Sequence, residues 1–263
     1  MTSEPAVRPD GWKAGHAPAL QVSGLKVKFG GATAIEDVAF EFGSGILGIV
    51  GPNGAGKSTV LNVLSGFIRP EEGTVRYRGR ELCRLPPHSR TRLSIGRTFQ
   101  DPVHAESLTV KENLYSGVRE RRVPARPREM LQLLELDLWA SRTVGSLPYG
   151  VRKVLDIGRA LIREPSLLLC DEPMSGLDET ERDRMERILG RISRQGVSLI
   201  IVEHDVTRIS RLADRIVALE AGRKIADGEP GAVLSDPAVV AAFTGTDSAG
   251  EDEEGARGGD AQG

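Results

Sequence analysis

The sequence has few cysteines and no long hydrophobic run. Cys83 and Cys170 are the two cysteines among 263 residues, and they lie far apart, outside any metal-ligand spacing. A reduced compartment is therefore expected, not a disulfide framework. The longest apolar runs, at 166–170 and 197–202, are far shorter than the roughly 20 residues of a membrane-spanning helix. Since residues 1–18 also lack a signal-peptide core, any membrane role must come through a partner chain.

A basic excess is also lacking. The net charge is −2, and the last 18 residues contribute about −5 of it, since they hold six acidic residues and one arginine. The remainder carries only about +3, which does not suggest a nucleic-acid partner. We expect residues 1–18 to be a flexible lead-in and residues 246–263 to be a disordered acidic tail.

Between these segments, at 19–245, strand patterns alternate with helix patterns. Apolar and polar residues alternate at 20–30 and 34–42, as in half-buried strands, whereas 46–51, 166–170 and 197–202 are short, mostly apolar runs. Such runs are typical of parallel strands that are buried on both faces. The pattern predicts an α/β fold with a mostly parallel core sheet and an antiparallel β layer at the N-terminus.

The middle of the chain differs from its flanks. Residues 105–164 carry few strand signals and several helical ones, so we expect a helical sub-domain inserted in the sheet domain. Beyond it, an amphipathic helix ends at Gly196, and a β-hairpin is expected through Ala221 and Gly222.

The segment GPNGAGKST follows a strand and begins a helix, which is the context that the phosphate-binding P-loop pattern requires. Glycines let successive N–H groups point at phosphate oxygens, and the helix N-terminus adds positive partial charge. Lys57 is expected to reach the β- and γ-phosphates, Ser58 to bind Mg²⁺ and Thr59 to contact the α-phosphate. The candidate ATP-binding residues here are Gly51, Pro52, Asn53, Gly54, Ala55, Gly56, Lys57, Ser58 and Thr59.

A second apolar strand ends in two acids. Asp171 is a candidate Mg²⁺ ligand, and Glu172 is a candidate catalytic residue that orients and polarises the attacking water. His204 follows the next apolar run, at the ligand-binding edge of the predicted sheet, where its imidazole can donate to the γ-phosphate. Gln100 on its own is only a polar residue, and it gains interest in combination with the others.

In this order the motifs resemble the nucleotide-binding subunit of ABC transporters, over about 20–245. The resemblance implies that Phe29 stacks on adenine, that Gln100 takes part in catalysis and links Mg²⁺ to the helical sub-domain, and that Lys57, Glu172 and His204 act in ATP hydrolysis. It identifies SGLD, ending at Asp178, as lying at the seam of an ATPase dimer. The remaining nucleotide contacts that it implies come from the signature segment, at Leu147, Pro148, Tyr149 and Gly150.

Finer features, such as GRTFQ, LTVKENL and VEHDV, are similar to the ATP-binding subunits of branched-chain amino acid importers. Related subunits serve urea, short amides or lipid export. The resemblance implies a peripheral ATPase at the cytoplasmic face of the membrane, with permease subunits, a second and different ATP-binding subunit, and an extracytoplasmic solute-binding protein as partners.

Three other functions account for part of the sequence. A soluble ATPase of the same fold, acting on ribosomes or DNA, usually has two nucleotide domains or a long coiled coil, and this chain shows one domain and no heptad run. An exporter subunit remains open, because the direction of transport rests on the resemblance. An unrelated P-loop kinase does not explain the series that contains Gln100, SGLD and His204.

The signature segment departs from the family's Leu-Ser-Gly-Gly-Gln, because this chain has Leu147, Pro148, Tyr149, Gly150 and Val151. Pro148 lacks both the hydroxyl and the N–H that could reach a γ-phosphate, and Val151 cannot form a side-chain hydrogen bond. Proline is nevertheless tolerated in the first turn of a helix. We expect the motif to remain functional, with any defect falling on the ATP that the partner subunit holds.

Overall fold

The computed structural model describes residues 19–100, 103–116 and 127–244. The predicted flexible lead-in at 1–18 and the predicted acidic tail at 246–263 lie outside the described residues. No helix in the described ranges is both long enough and apolar enough to cross a bilayer.

The first sheet is antiparallel and comes from the N-terminal third of the chain. Its strand order is β2-β1-β4-β5, and β1 pairs along its length with both β2 and β4. Buried and exposed side chains alternate along these strands, as the sequence pattern predicts. The strands are β1 (Leu20–Phe29), β2 (Ala32–Phe42), β4 (Glu72–Tyr77) and β5 (Arg80–Glu81).

The second sheet is the core of the fold, with the order β10-β9-β3-β8-β7-β6. All neighbours are parallel except β9 and β10, which form the predicted hairpin. Every residue of β3 and β7 is buried. The strands are β3 (Ile46–Val50), β6 (Ile95–Arg97), β7 (Leu167–Asp171), β8 (Ser198–Val202), β9 (Arg215–Glu220) and β10 (Arg223–Gly228).

Helices cover the core sheet and form the inserted helical part, where α3, α4 and the start of α5 lie. Two short 3-10 turns, Asp137–Trp139 and Val144–Ser146, precede α5. The helices are α1 (Lys57–Ser65), α2 (Pro87–Thr91), α3 (Val110–Tyr115), α4 (Pro127–Leu133), α5 (Tyr149–Leu161), α6 (Glu179–Arg194), α7 (Val206–Leu212), α8 (Pro230–Leu234) and α9 (Pro237–Thr244).

Two apolar clusters cover the two faces of the core sheet. Leu47 and Ile49 of β3 point into a cluster shared with the antiparallel sheet and α1, whereas Ile46 and Val50 point into the cluster shared with α5 and α6. This confirms the predicted α/β fold with its antiparallel layer and helical insertion. Because β3, β6, β7 and β8 run parallel, their carboxyl ends meet at one edge of the sheet, where the candidate site residues lie.

Candidate nucleotide-binding site

The P-loop connects the end of β3 to the start of α1 through backbone conformations that favour glycine. Gly51 has φ +152°, and a Cβ there would lie 2.2 Å from the Leu219 carbonyl oxygen. Gly56 has φ +97° at the N-cap of α1, and a Cβ there would lie 2.6 Å from Ile35 Cδ1. Side chains are therefore excluded at both ends of the loop, and the chain can curl tightly between them.

The start of α1 is suited to bind an anion. Its N-cap is Gly56, so no N-cap side chain accepts from the first-turn N–H groups at Lys57, Ser58 and Thr59. The buried Lys57 ammonium donates to the carbonyl oxygens of Gly51 (2.7 Å) and Pro52 (2.9 Å). Burial lowers the Lys57 pKa, and the nearby carboxylates, led by that of Glu172, oppose the shift.

The remaining P-loop residues differ in their solvent exposure. Asn53, Gly54 and Ser58 are exposed and Ala55 is buried. The Ala55 carbonyl accepts from the N–H of Gly222, which fixes the loop to the turn between β9 and β10.

Asp171 is the last residue of β7 and is nearly buried. Its Oδ2 pairs with Arg97 Nη2 at 3.0 Å, and its Oδ1 is buried with no hydrogen-bond partner in the described structure. A buried carboxylate oxygen of this kind is costly unless a further cation or water satisfies it.

Glu172 leaves the strand with an unusual backbone. Its φ is +44°, and its N–H still donates to the Val202 carbonyl, which keeps the residue at the sheet edge. Gln100 Nε2 donates to Glu172 Oε2 at 2.9 Å, so the structure brings these two predicted site residues into direct contact.

His204 lies two residues beyond β8 and is exposed. The preceding Glu203 is buried, and its Oε1 accepts from the Met174 N–H at 2.8 Å. The Glu203 Oε2 lies 3.8 Å from His204 Nδ1, too far for a hydrogen bond. Burial raises the pKa of Glu203 to about 7, and the neighbouring Glu172 charge acts in the same direction.

Phe29 ends β1 at the turn into β2, the strand that approaches the P-loop at Ala34. It pairs with Ala32, and the Ala34 carbonyl that follows is 2.9 Å from the position of a Cβ at Gly56. The Phe29 ring is more than half exposed. This placement leaves an apolar face available next to the phosphate-binding loop.

The signature segment is fixed in place mainly by side chains that pack into the core. The side chains of Leu147 and Val151 are buried in the core, and the Leu147 N–H donates to the Val144 carbonyl. Each of these side chains is only about 4% exposed, so both serve the core of this chain, and the role of Leu147 in nucleotide binding stays a prediction. Pro148 is the N-cap of α5, one position before the first turn in which we expected it.

The start of α5 rests on the SGLD loop of its own chain. A Cβ at Gly176 would lie 3.2 Å from the Tyr149 ring, and a Cβ at Gly150 would lie 2.5 Å from Glu181 Oε1. Glu181 in turn forms a capping box with Asp178, the N-cap of α6. The signature glycine, Gly150, therefore has a packing role in this chain, whatever it contributes to a ligand.

The donors at the sheet edge fit a magnesium ion. Ser58 offers a hydroxyl, Gln100 an amide oxygen and Asp171 a buried carboxylate oxygen without a partner, and Mg²⁺ prefers oxygen ligands. In the described ranges no three histidine, cysteine or acidic side chains cluster as a metal site. A magnesium ion here would be of the kind that one protein carboxylate and nucleotide phosphates hold together.

Three residues that contact the site were not predicted from the sequence. Arg97 pairs with Asp171, Glu203 binds the Met174 N–H, and Lys153 Nζ donates to the Glu172 carbonyl at 2.9 Å. Arg97 and Glu203 end or follow strands at the ligand edge, which is a usable signal. Lys153 lies on the buried side of α5, and nothing in its spacing indicates this contact.

Comparison with known proteins gives one consistent family. The family model for ABC transporters matches residues 35–175, which include the P-loop, Gln100, the signature segment and the acid pair.

Individual relatives and a solved structure agree. The high-affinity branched-chain amino acid transport ATP-binding protein BraF of Pseudomonas aeruginosa is 32% identical over 87% of this chain and 98% of its own length. The Fe(3+) ions import ATP-binding protein FbpC 1 of Rhodococcus jostii is 38% identical over 83% of this chain, but only 64% of its own length. The crystal structure of MJ1267, an ATP-binding cassette of an ABC transporter in its ADP conformation, superposes with a TM-score of 0.79 at 28% identity, covering 88% of this chain and 100% of that one.

Proposed function

This chain belongs to the ABC transporter family, and we propose that it is the ATP-binding and ATP-hydrolysing subunit of a membrane transporter that imports branched-chain amino acids or similar small polar solutes. The main support for the proposal is the hydrogen bond from Gln100 Nε2 to Glu172 Oε2 (2.9 Å), at the sheet edge that also carries the P-loop. An acid paired with an amide at that place can hold a water molecule next to a phosphate chain.

The chemistry is an in-line attack of water on the γ-phosphoryl group. The loop N–H groups, the start of α1 and Lys57 hold the phosphates, and Glu172 orients and polarises the attacking water with help from Gln100. In this proposal the His204 imidazole donates to the γ-phosphate. Phe29 offers a stacking face for adenine beside the loop.

Magnesium is part of this proposal. Ser58, Asp171 and Gln100 would hold the ion, and the partnerless Asp171 Oδ1 is the observation that supports it. When bound, Mg²⁺ supplies positive charge against the β- and γ-phosphate oxygens.

The solute class rests on how completely the relatives match. BraF corresponds to this chain over 98% of its own length, whereas FbpC 1 is matched over 64% of its length. The higher identity to FbpC 1 lies within the shared domain, so the match to BraF over nearly its whole length favours branched-chain amino acids over ferric ion.

The partners follow from the same likeness. We place this chain at the cytoplasmic face of the membrane, bound to permease subunits, with a solute-binding protein on the other side. A second, different ATP-binding subunit is part of the proposal, because the signature segment of this chain departs at Pro148 and Tyr149. Native mass measurement of the purified complex should show two distinct ATPase chains; two identical copies would contradict the heterodimer.

The decisive experiment reconstitutes the chain with its permeases and binding protein in proteoliposomes. Leucine, urea, a short amide and ferric ion are compared as stimulants of ATP hydrolysis and as transported solutes. We expect leucine or another small polar solute to stimulate hydrolysis and to move toward the ATPase side. Stimulation by ferric ion alone would overturn the solute class, movement away from the ATPase side would indicate an exporter, and stimulation by ribosomes or DNA without membrane partners would indicate a soluble ATPase.

A further inference from the structure

Arg97 joins three parts of the molecule that meet behind the candidate phosphate site. It ends β6, and its Nη1 donates to Asn62 Oδ1 at 2.7 Å and to Ser65 Oγ, both on the helix that begins at the P-loop. Its Nη2 donates to Asp171 Oδ2 at 3.0 Å. The guanidinium therefore connects α1 directly to the end of β7.

Two aromatic rings hold the other side of this guanidinium. Its carbon atom lies 5.3 Å from the ring centroids of both Phe67 and Phe99, which contact each other edge to face. Cation–π contact with both rings, together with three hydrogen bonds, leaves the side chain little freedom. Arg97 is thus fixed from several directions, and the Asp171 carboxylate that it binds is fixed with it.

The consequence for Asp171 is an asymmetric carboxylate. Only about a tenth of either side chain is exposed, so the pair is nearly desolvated, and a buried carboxylate without a counter-charge would be strongly disfavoured. Arg97 supplies that counter-charge at Oδ2 alone, and Oδ1 remains without a hydrogen-bond partner.

From this geometry we infer that Arg97 is a positioning residue for magnesium: it balances the Asp171 charge, occupies Oδ2 and leaves Oδ1 oriented for the metal. The inference rests on the magnesium site of the proposed function. The opposite effect is also physically possible, since a nearby guanidinium repels a divalent cation, and removal of Arg97 would then tighten metal binding. The sign of the change therefore distinguishes the two.

The test measures the affinity of the full chain for a non-hydrolysable ATP analogue, with excess Mg²⁺ and with EDTA. The ratio of the dissociation constant in EDTA to that in Mg²⁺, measured for one variant, reports how much the metal strengthens binding. It is insensitive to a loss of folded protein. We expect Arg97→Gln to reduce this ratio about 10-fold or more, as loss of a residue that orients a metal ligand typically does. The affinity in EDTA should stay within about 2-fold of wild type.

Arg97→Lys is the second variant, because it keeps the charge but cannot bind Asp171 and Asn62 with the same fork. Its ratio should fall, but by less than that of Arg97→Gln. If Arg97→Gln does not fold, Arg97→Lys alone tests the role of Arg97. The control is Arg215→Gln, which breaks a more exposed ion pair to Asp227 (2.8 Å) beside the start of β3, at the opposite end of the strands.

Three outcomes overturn the inference in distinguishable ways. A ratio that is unchanged or higher in the Arg97 variants, beside a normal wild-type ratio, overturns the role of Arg97 alone. A loss as large in Arg215→Gln would show a general effect of breaking an ion pair. Absence of any Mg²⁺ dependence in wild type would overturn the magnesium site itself, and this role with it.

Discussion

The P-loop and the signature segment both run into the first turn of a helix, and both have a glycine that lies close to neighbouring atoms, but they are built differently. The P-loop depends on backbone conformation: Gly51 and Gly56 have φ values that favour glycine and lie against neighbouring atoms where a Cβ would clash. The signature segment depends on packing: Leu147 and Val151 are buried, and Tyr149 lies against the SGLD loop.

The comparison explains why one motif matches the family pattern and the other departs from it. The P-loop has φ > 0 at Gly51, Gly54 and Gly56, and such positions admit few residues other than glycine, so the sequence of the loop is constrained. A helix start can keep its direction with different residues, provided that the buried positions stay apolar and Gly150 stays small. The changes at Pro148 and Val151 are therefore compatible with an intact helix N-terminus.

The largest effect should come from removing the candidate catalytic acid on the P-loop side. Glu172→Gln in the assembled complex should lower steady-state ATP hydrolysis about 100-fold or more, because general-base assistance is lost. Binding of ATP should stay within a few-fold, since the amide still fits beside Gln100. Glu81→Gln, on the exposed strand β5, is the matched control. Near-normal turnover in Glu172→Gln would contradict its role.

The second prediction concerns the buried Glu203, which follows β8 at the sheet edge that carries the P-loop. Its pKa is about 7 in the folded chain because burial disfavours the charged form, whereas an unfolded glutamate ionises near 4.5. The unfolded state therefore releases its proton first as pH rises, and this group lowers the free energy of unfolding progressively between about pH 4.5 and 7.

Glu203→Gln cannot ionise and still accepts from the Met174 N–H. Its free energy of unfolding, relative to wild type, should rise by about 2 kcal/mol between pH 5 and 8. Urea unfolding at several pH values measures this difference, again with Glu81→Gln as control. If the wild-type and Glu203→Gln profiles run parallel, Glu203 is already ionised in the folded chain.

The third prediction tests the packing that distinguishes the signature segment. Gly150→Ala should displace the Glu181 side chain, since the added methyl would lie 2.5 Å from its Oε1, and so weaken the capping box with Asp178. Loss of such a cap costs about 1 kcal/mol. In a Glu181→Ala background the same change should be at least ~1 kcal/mol less destabilising. Equal effects in both backgrounds would show that the contact is not energetically significant.

The smallest effect is expected at Pro148. Pro148→Ser restores an N–H and a hydroxyl at the N-cap of α5, and it should raise ATP hydrolysis of the complex by about 2- to 5-fold, with the gain in the site of the partner subunit. Pro148→Ala restores only the N–H, so the two variants separate the contributions. Unchanged or lower activity in Pro148→Ser would show that proline is a neutral helix-start residue.

Much of the fold was predictable because its signals are local. The apolar runs that became β3, β7 and β8, and the glycine-rich turn into α1, reflect burial on both faces and backbone geometry, which neighbouring residues determine. The same local signals brought Asp171, Glu172 and His204 forward as candidates, whereas Gln100 gained its role through the resemblance to the family. Their roles in the ATP site stay predictions.

The sequence by itself determined the α/β architecture and the order of the motifs, because strand burial and turn geometry depend on residues that are close together in the chain. Only the tertiary structure decided which atoms meet: Arg97 on Asp171, Gln100 on Glu172, and Gly150 against Glu181. Each of these pairs joins elements far apart in the chain. Such contacts arise when strands pair and helices pack, and no local pattern specifies which side chain will lie opposite another.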